Sequence, residues 1–291
     1  MLVNEGKLEI MKDNSIKWRD EGYFGQFNWV REYSQLGNLF LHSRNEKNNK
    51  IELLVWCFPT KVFESFAEVN ILTYMFSGQI QKYYFDMYNI EYNMKMVQKE
   101  NNTYSLIDWD ENIEKDYRRQ FKDLIHIYEG KINSIGDDEY SLSSTWLKTK
   151  KEKVKILKNN TINYYINIMK SPSKNNIWTT VRGNDMGNDK ENDKIRKSLS
   201  GNGYSRGFVS CNARATNDYA DRHCCAYLLN RYMNPMLKGF FDDKGIVVDE
   251  DIWAISELIQ WLFRSGIRNK EEINLYIPSK RMRQLLMFWM D

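Results

Sequence analysis

Two arginines and a glutamine recur at four-residue spacing near the end of the chain. If the helix predicted here continues through all three positions, then Gln260, Arg264 and Arg268 project from one face. An arginine guanidinium is planar and stays charged when desolvated, so it holds phosphate oxygens in a bidentate way. The spacing therefore predicts an anion-binding helix face. The alternative is that both arginines pair with neighbouring acids such as Glu257 or Glu271.

A second polar segment follows a short apolar run at residues 208–211. It places Asn212, Arg214, Thr216 and Asn217 in a turn at the end of a predicted strand. Polar side chains and backbone amides after a strand suit a phosphate in the crevice of an open α/β sheet. An ordinary strand-to-helix turn with an Asn or Thr cap is the alternative interpretation.

The elements that must position these residues alternate between strands and helices. Apolar runs at residues 223–229 and 273–277 predict strands. Helices are predicted around 235–241, from 249 onwards, and at 280–290. Short loops join them, which indicates an α/β fold with mostly parallel strands.

Upstream of this part, two more buried strands are predicted at residues 51–58 and 71–76, with a helix at 79–87. Six lysines then fall between residues 148 and 158. Such a run is typical of a solvated helix face, and phosphate contact is the alternative.

Composition excludes several classes of protein. The chain is 42% hydrophobic and 14% aromatic, which predicts packed cores rather than disorder. Its net charge of +3 neither requires nor excludes nucleic acid. The four cysteines and three histidines lack zinc-ligand spacing, so we expect no metal site. No signal peptide is visible, and no apolar stretch reaches the roughly 20 residues of a membrane helix, so we expect a cytoplasmic protein.

The segment from residue 256 to 268, followed by residues 276–283, resembles motif VI of superfamily 2 (DEAD/DEAH-like) helicase-type proteins of bacteriophages and mobile elements. In that family, motif VI is a glutamine followed by two arginines that act on the γ-phosphate of ATP. Gln260, Arg264 and Arg268 match in type and order. The arginines are four positions apart rather than three, which leaves open which one would be the arginine finger.

Two other segments resemble motifs of the same family. The turn at residues 212–217 resembles motif V, and residues 72–74 resemble motif III of the first motor domain. The resemblance implies that the following residues bind nucleotide or nucleic acid: Thr73, Gln79, Asn212, Arg214, Thr216 and Asn217.

The resemblance also implies a domain order. Residues 175–291 would form a RecA-like second motor domain with a mostly parallel sheet, residues 141–174 a helical linker, and residues 1–140 the remnant of a first RecA-like domain. It implies ATP and Mg²⁺ as cofactors and DNA or RNA as partner. No GxxxxGK[ST] loop occurs in the sequence, so ATP would be bound mainly by a region absent from this chain, such as a separate chain.

The expected function is therefore the C-terminal part of a phage-type nucleic-acid-dependent ATPase or helicase, inactive alone and serving replication. Two alternatives stay open. One is a non-catalytic nucleic-acid-binding module that keeps a motor-like fold. In it the lysines from Lys148 to Lys158, Arg281 and Arg283 would contact phosphates, and the aromatic side chains would stack on bases. The other is an unrelated phosphate-binding or partner-docking domain whose arginines form structural ion pairs.

Overall fold

The computed structural model describes residues 2–46, 49–181, 189–213 and 216–291. The chain divides into two compact units. The first comprises Met1–Thr73, Ile80–Glu91 and Met233–Val248. The second comprises Tyr74–Gln79, Tyr92–Tyr232 and Asp249–Asp291.

The described residues form strands and α-helices with the following bounds. The strands are β1 (Leu8–Ile10), β2 (Ile16–Trp18), β3 (Leu39–Glu46), β4 (Asn49–Trp56), β5 (Lys95–Glu100), β6 (Thr103–Asp108), β7 (Ile125–Ile127), β8 (Asn176–Thr179), β9 (Cys224–Tyr227) and β10 (Ile273–Tyr276). The helices are α1 (Asn28–Gln35), α2 (Lys61–Glu64), α3 (Ile80–Met87), α4 (Glu111–Arg119), α5 (Ser144–Thr149), α6 (Lys151–Asn163), α7 (Asp189–Leu199), α8 (Pro235–Asp243), α9 (Glu250–Leu262) and α10 (Lys280–Met290).

The first unit is built from two antiparallel strand pairs and short helices. Strand β1 pairs with β2, and β3 pairs with β4. Its core is a cluster of buried apolar side chains: Leu8, Ile16, Trp18, Val30 and Leu39. Helix α8 joins this unit through Phe240, whose ring lies 5.9 Å from that of Phe40 on β3.

Of the two strands predicted at residues 51–58 and 71–76, only the first is present among the residues that the structure describes. The strand at 51–58 forms as β4, but it is not buried as predicted: it lies in a two-stranded antiparallel sheet, and Trp56 is 43% exposed. No strand forms at 71–76, where Leu72 is 92% exposed and Met75 adopts a left-handed backbone at φ 51. That reversal ends any extended run, and a single 3₁₀ turn follows at Phe76–Gly78. The helix at 79–87 is confirmed as α3.

The second unit contains the parallel α/β sheet that the sequence predicts. Its strand order is β7-β10-β9-β8, and all three pairings are parallel. Every residue of β8 and β9 is buried, so both faces of the sheet are covered. The strands predicted at 223–229 and 273–277 are confirmed as β9 and β10. The run at 208–211 forms only a bridge between Phe208 and Trp178.

The boundaries of the two units differ from the expected ones at residues 140 and 175. Strand β7, which precedes residue 140, lies in the same sheet as β8, β9 and β10. Helices α5 and α6, expected to form a linker, pack against α7 within the second unit. Buried Val154 and Leu157 on α6 explain why this segment joins the core.

Candidate functional site

Helix α9 ends before the predicted arginines. Its first turn is capped by Asp249, whose carboxylate accepts from the amides of Asp251 and Ile252 at 3.0 and 2.9 Å. The helix stops at Leu262, and Ser265 is extended at φ −87 and ψ −174. A 3₁₀ turn, Gly266–Asn269, then leads into β10.

The prediction that one helix carries all three motif VI-like residues is therefore wrong. Only Gln260 lies on α9, whereas Arg264 lies beyond its end and Arg268 lies on the 3₁₀ turn. The chain has to reverse before β10, and the amide of Gly266 donates to the carbonyl of Arg222 at 2.8 Å at that point. This tertiary bond replaces a further turn of helix.

The segment with the two arginines nevertheless contacts the polar segment at residues 212–217, as the following hydrogen bonds show. Arg264 donates through Nη1 to the carbonyl oxygen of Thr216 at 3.0 Å and through Nη2 to that of Ala213 at 3.3 Å. Arg268 donates to the side-chain oxygen of Asn217. Both arginines thus contact this segment, whereas the alternative interpretation named the acids Glu257 and Glu271 as their partners. Of those acids, Glu257 pairs with Arg231.

The turn itself is held by short local bonds. The hydroxyl of Thr216 donates to Asp218 Oδ2 at 3.0 Å and accepts from the Asp218 amide at 3.4 Å. Asn212 is exposed and accepts from the hydroxyl of Ser210 at 2.5 Å. Arg214 lies outside the described residues.

The remaining predicted residues lie elsewhere. Gln79 donates to the hydroxyl of Ser256 on α9 at 3.2 Å. Gln260, one turn further along the same helix, has a buried Nε2 without a hydrogen-bond partner among the described residues. Thr73 is exposed and belongs to the first unit, so the structure does not group it with the arginines.

An open cavity of about 440 Å³ lies beside the turn. Its lining includes three acids, Asp218, Asp221 and Glu271, as well as His223, whose Nε2 lies 2.6 Å from Glu271 Oε2. His223 and Glu271 precede β9 and β10, so the cavity lies at the amino ends of these strands. Three carboxylates repel phosphate, and ligands of open α/β sheets bind at the carboxyl ends. The cavity is therefore a poor phosphate site.

The described residues do not form a complete nucleotide site. No group of three or more His, Cys, Asp or Glu side chains in the described part of the chain is placed to hold a metal ion. With no phosphate-binding loop in the sequence either, the chain does not fit ATP and Mg²⁺ by itself. We therefore derive no hydrolysis step for it.

Comparison with known proteins agrees with the parallel sheet of the second unit. Residues 119–290 match the family described as the YonV C-terminal Rossmann-like domain. The chain belongs to the YonV family. The SPbeta prophage-derived YonV of Bacillus subtilis (strain 168) is 41% identical over 292 aligned positions, which cover 97% of this chain and 67% of that protein. No solved structure matches the chain.

Membership of the YonV family supports the coarser part of the sequence interpretation. A Rossmann-like α/β domain and a prophage-derived relative are found. The RecA-like and helicase assignments remain predictions. None of the helices in the described part of this YonV-family chain is long and apolar enough to span a membrane.

The carboxyl edge of the YonV Rossmann-like sheet holds buried charged side chains whose position there the sequence analysis did not predict. Arg231 follows β9, and its Nη2 lies 3.4 Å from Glu257 Oε2 with both side chains at most 10% exposed. Arg283 donates through Nη1 to the carbonyls of Ile277 and Pro278 at 2.8 Å each. A polar residue directly after an apolar strand run is the signal that marks Arg231 in the sequence.

A third arginine on this edge is also bound within the chain. Arg281, in the first turn of α10, donates to Asp251 Oδ1 at 2.6 Å and to the carbonyl of Arg231 at 2.6 Å. Its guanidinium also lies 4.4 Å from the ring centre of Tyr232. Arg281 therefore connects α10 to the first turn of α9 and to the segment that follows β9.

Proposed function

We propose that this chain is the arginine-bearing part of a phage-type nucleic-acid-dependent ATPase, with the nucleotide held by a separate chain or another part of a longer protein. The observation that carries the proposal is the contact between Arg264 and the Ala213–Thr216 turn. It joins the motif VI-like and motif V-like segments, 48 residues apart in the chain. The Rossmann-like fold and the prophage-derived relative are consistent with it.

The geometry defines what Arg264 would have to do in such a protein. Two of its nitrogens donate to backbone carbonyls, so a phosphate bound by the guanidinium would compete with Thr216 and Ala213 for this side chain. Phosphate oxygens carry charge and make stronger bonds to arginine than neutral carbonyls do. Phosphate binding would therefore release the turn, which is how a nucleotide would influence a nucleic-acid strand bound near Asn212–Asn217.

The test measures the response of the purified chain to triphosphate. The chain alone should bind ATP only weakly, through the phosphates, so ATP at millimolar concentration should raise the melting temperature of the wild-type chain slightly, and Arg264→Ala should abolish that rise. Arg222→Ala is the matched control, because Arg222 lies near the turn but contacts Asp221 and the carbonyl of Asn176 instead. The chain alone should not hydrolyse ATP.

Two results would overturn the proposal. A wild-type chain that ignores millimolar triphosphate, or one that responds equally with and without Arg264, would assign the arginine a structural role only. Magnesium-dependent turnover by the chain alone, abolished by Arg264→Ala, would instead reveal a complete active site within it.

A further inference from the structure

The charges of this chain are unevenly distributed. Residues 148–174 contain eight lysines and a single acid, Glu152, so this segment carries a net charge of +7. The whole chain carries only +3, which leaves a net −4 on all the other residues. A field of this kind attracts a polyanion to one segment and repels it from most of the remaining surface.

Helix α6 presents part of this charge in a row. Its buried positions recur every three to four residues and fix one side of the helix against the core: Val154, Leu157 and Thr161. Lys151, Lys155 and Lys158 recur with the same period, so they line one flank next to that buried side. We call these three residues the lysine row.

The lysine row is available to a ligand. Among the described residues, Lys151 and Lys158 form no ion pair, and Lys155 pairs only with Glu152 at 2.8 Å. The Lys155 and Glu152 side chains are 70% and 81% exposed, and a pair of that kind contributes little. A phosphate can therefore replace the glutamate at small cost.

The charged surface continues beyond the row. A π-helical turn, Tyr164–Ile168, extends α6 directly, which gives a rod of roughly 25 Å at 1.5 Å per residue. Lys170 and Lys174 lie just past its end, exposed and without an ion pair among the described residues. Along its length the rod can therefore contact several consecutive phosphates.

We propose that the lysine row, continued by Lys170 and Lys174, binds the phosphate backbone of a nucleic acid without regard to sequence. Lysine ammonium groups supply point charges to phosphates but no fork that reads base edges. A membrane surface suits the row less well. A membrane-binding helix buries a broad exposed apolar face. The apolar side of α6 is already in the core, and the exposed large apolar side chains described on the rod are three isoleucines: Ile156 at 52%, Ile166 at 40% and Ile168 at 38%.

The experiment compares two variants with the same net charge. Lys151→Gln, Lys155→Gln and Lys158→Gln together remove the row, and Lys12→Gln, Lys17→Gln and Lys61→Gln remove three exposed lysines from the first unit. Both triple variants lower the net charge from +3 to zero. Fluorescence anisotropy with labelled oligonucleotides of two unrelated sequences, at several salt concentrations, gives the affinity and its salt slope.

We expect the wild-type chain to bind both sequences equally and more weakly as salt rises. Loss of the row should weaken binding about tenfold or more at low salt and reduce the salt slope by roughly 2 to 3, because each phosphate contact contributes about 0.7 to 0.9. The control triple variant should keep most of the affinity and the full slope. Melting temperatures should stay unchanged in both variants, since all the replaced residues lie at the surface.

Several outcomes would overturn this inference. The wild-type chain could fail to bind at low salt, bind without salt dependence, or lose equal affinity in both triple variants. Binding to phosphatidylserine vesicles without binding to oligonucleotides would favour a membrane. The lysine row does not depend on the ATPase proposal: the ATP-induced rise in melting temperature should persist in the triple variant that lacks the row, so the two proposals can fail separately.

Discussion

Nη1 of Arg264 lies 3.0 Å from the carbonyl oxygen of Thr216, although 48 residues separate them in the chain. This bond, with the one to Ala213, holds a turn that has no strand pairing of its own among the described residues. A charged donor in a half-buried site makes a stronger bond than a neutral one. Arg264 therefore holds Ala213 and Thr216, the described residues on either side of positions 214 and 215.

Arg264→Ala should lower the free energy of unfolding by roughly 1.5 to 3 kcal/mol, the range for hydrogen bonds to a charged group. Arg264→Lys should lose less, because an ammonium can still reach one carbonyl. Arg268→Ala serves as control: Arg268 is exposed, and in the described part of the chain its side chain bonds only the exposed Asn217, so the loss should stay below about 1 kcal/mol. Urea denaturation measures all three, and equal losses for Arg264 and Arg268 would contradict the assignment.

Glu257→Ala should be among the most damaging single changes in the second unit. It leaves the Arg231 guanidinium buried beside Cys211 and Trp253 without its carboxylate, which costs about 3 to 5 kcal/mol. The surface pair of Lys115 and Glu111 gives the matched control, and Lys115→Ala should cost below about 1 kcal/mol. A small effect of Glu257→Ala in urea unfolding would mean that water reaches Arg231.

Gly136→Ala should destabilise the second unit because of one close backbone approach. A Cβ atom at this position would lie 2.0 Å from the carbonyl oxygen of Pro278, which precedes α10. Neither backbone can move without shifting the end of β10, so we expect a loss of about 1 to 3 kcal/mol or more. At Gly22 the nearest atom, Asp20 Oδ1, is 3.6 Å away, so Gly22→Ala should leave the melting temperature nearly unchanged.

The stability of the second unit should fall as pH rises past the ordinary carboxyl range. Burial raises the pKa of Glu114 above its usual 4.5, although the hydroxyl of Tyr74 and the nearby Arg118 favour the charged form. The folded state thus binds the proton more tightly than the unfolded state. Its contribution is complete below the unfolded pKa and is lost as pH rises through the raised folded pKa.

Glu114→Gln should remove this pH dependence while its oxygen still accepts the bond from Tyr74. The free energy of unfolding of the wild-type chain, relative to the variant, should therefore decrease between about pH 4 and pH 7. Urea titrations at several pH values measure the difference. A wild-type chain that gains stability over this range relative to the variant would show that the pKa of Glu114 is lowered instead.

All four cysteines should resist thiol reagents in the folded protein. None of the four forms a disulfide and each is buried, and burial raises the pKa of Cys224 to about 11 and the pKa values of Cys57 and Cys225 above their ordinary range. Near pH 8 the reactive thiolate is therefore scarce as well as inaccessible. Ellman's reagent should detect no fast thiol in the native chain and four after unfolding. A rapidly reacting native thiol would contradict the burial.

Local patterns in the sequence were enough for the elements of the parallel sheet. The apolar runs that became β9 and β10 are short and continuous, as strands buried on both faces require. Helices α8 and α10 were predicted almost to the residue, because Pro235 suits the first turn of α8 and Pro278 ends the strand run before α10. Such signals act between neighbours in the chain and need no knowledge of the fold.

The site depended on contacts between distant residues. The period of four at Gln260, Arg264 and Arg268 continues past the point where α9 ends, because the chain has to turn into β10 and a bond from Gly266 to Arg222 secures that turn. The sequence also could not predict that Arg264 bonds backbone carbonyls, because every residue has a carbonyl and none marks itself as a partner. Nor could it predict that Glu257 pairs with Arg231. The sequence by itself determined the elements and the lysine-rich charge, whereas tertiary packing alone decided which charged groups meet.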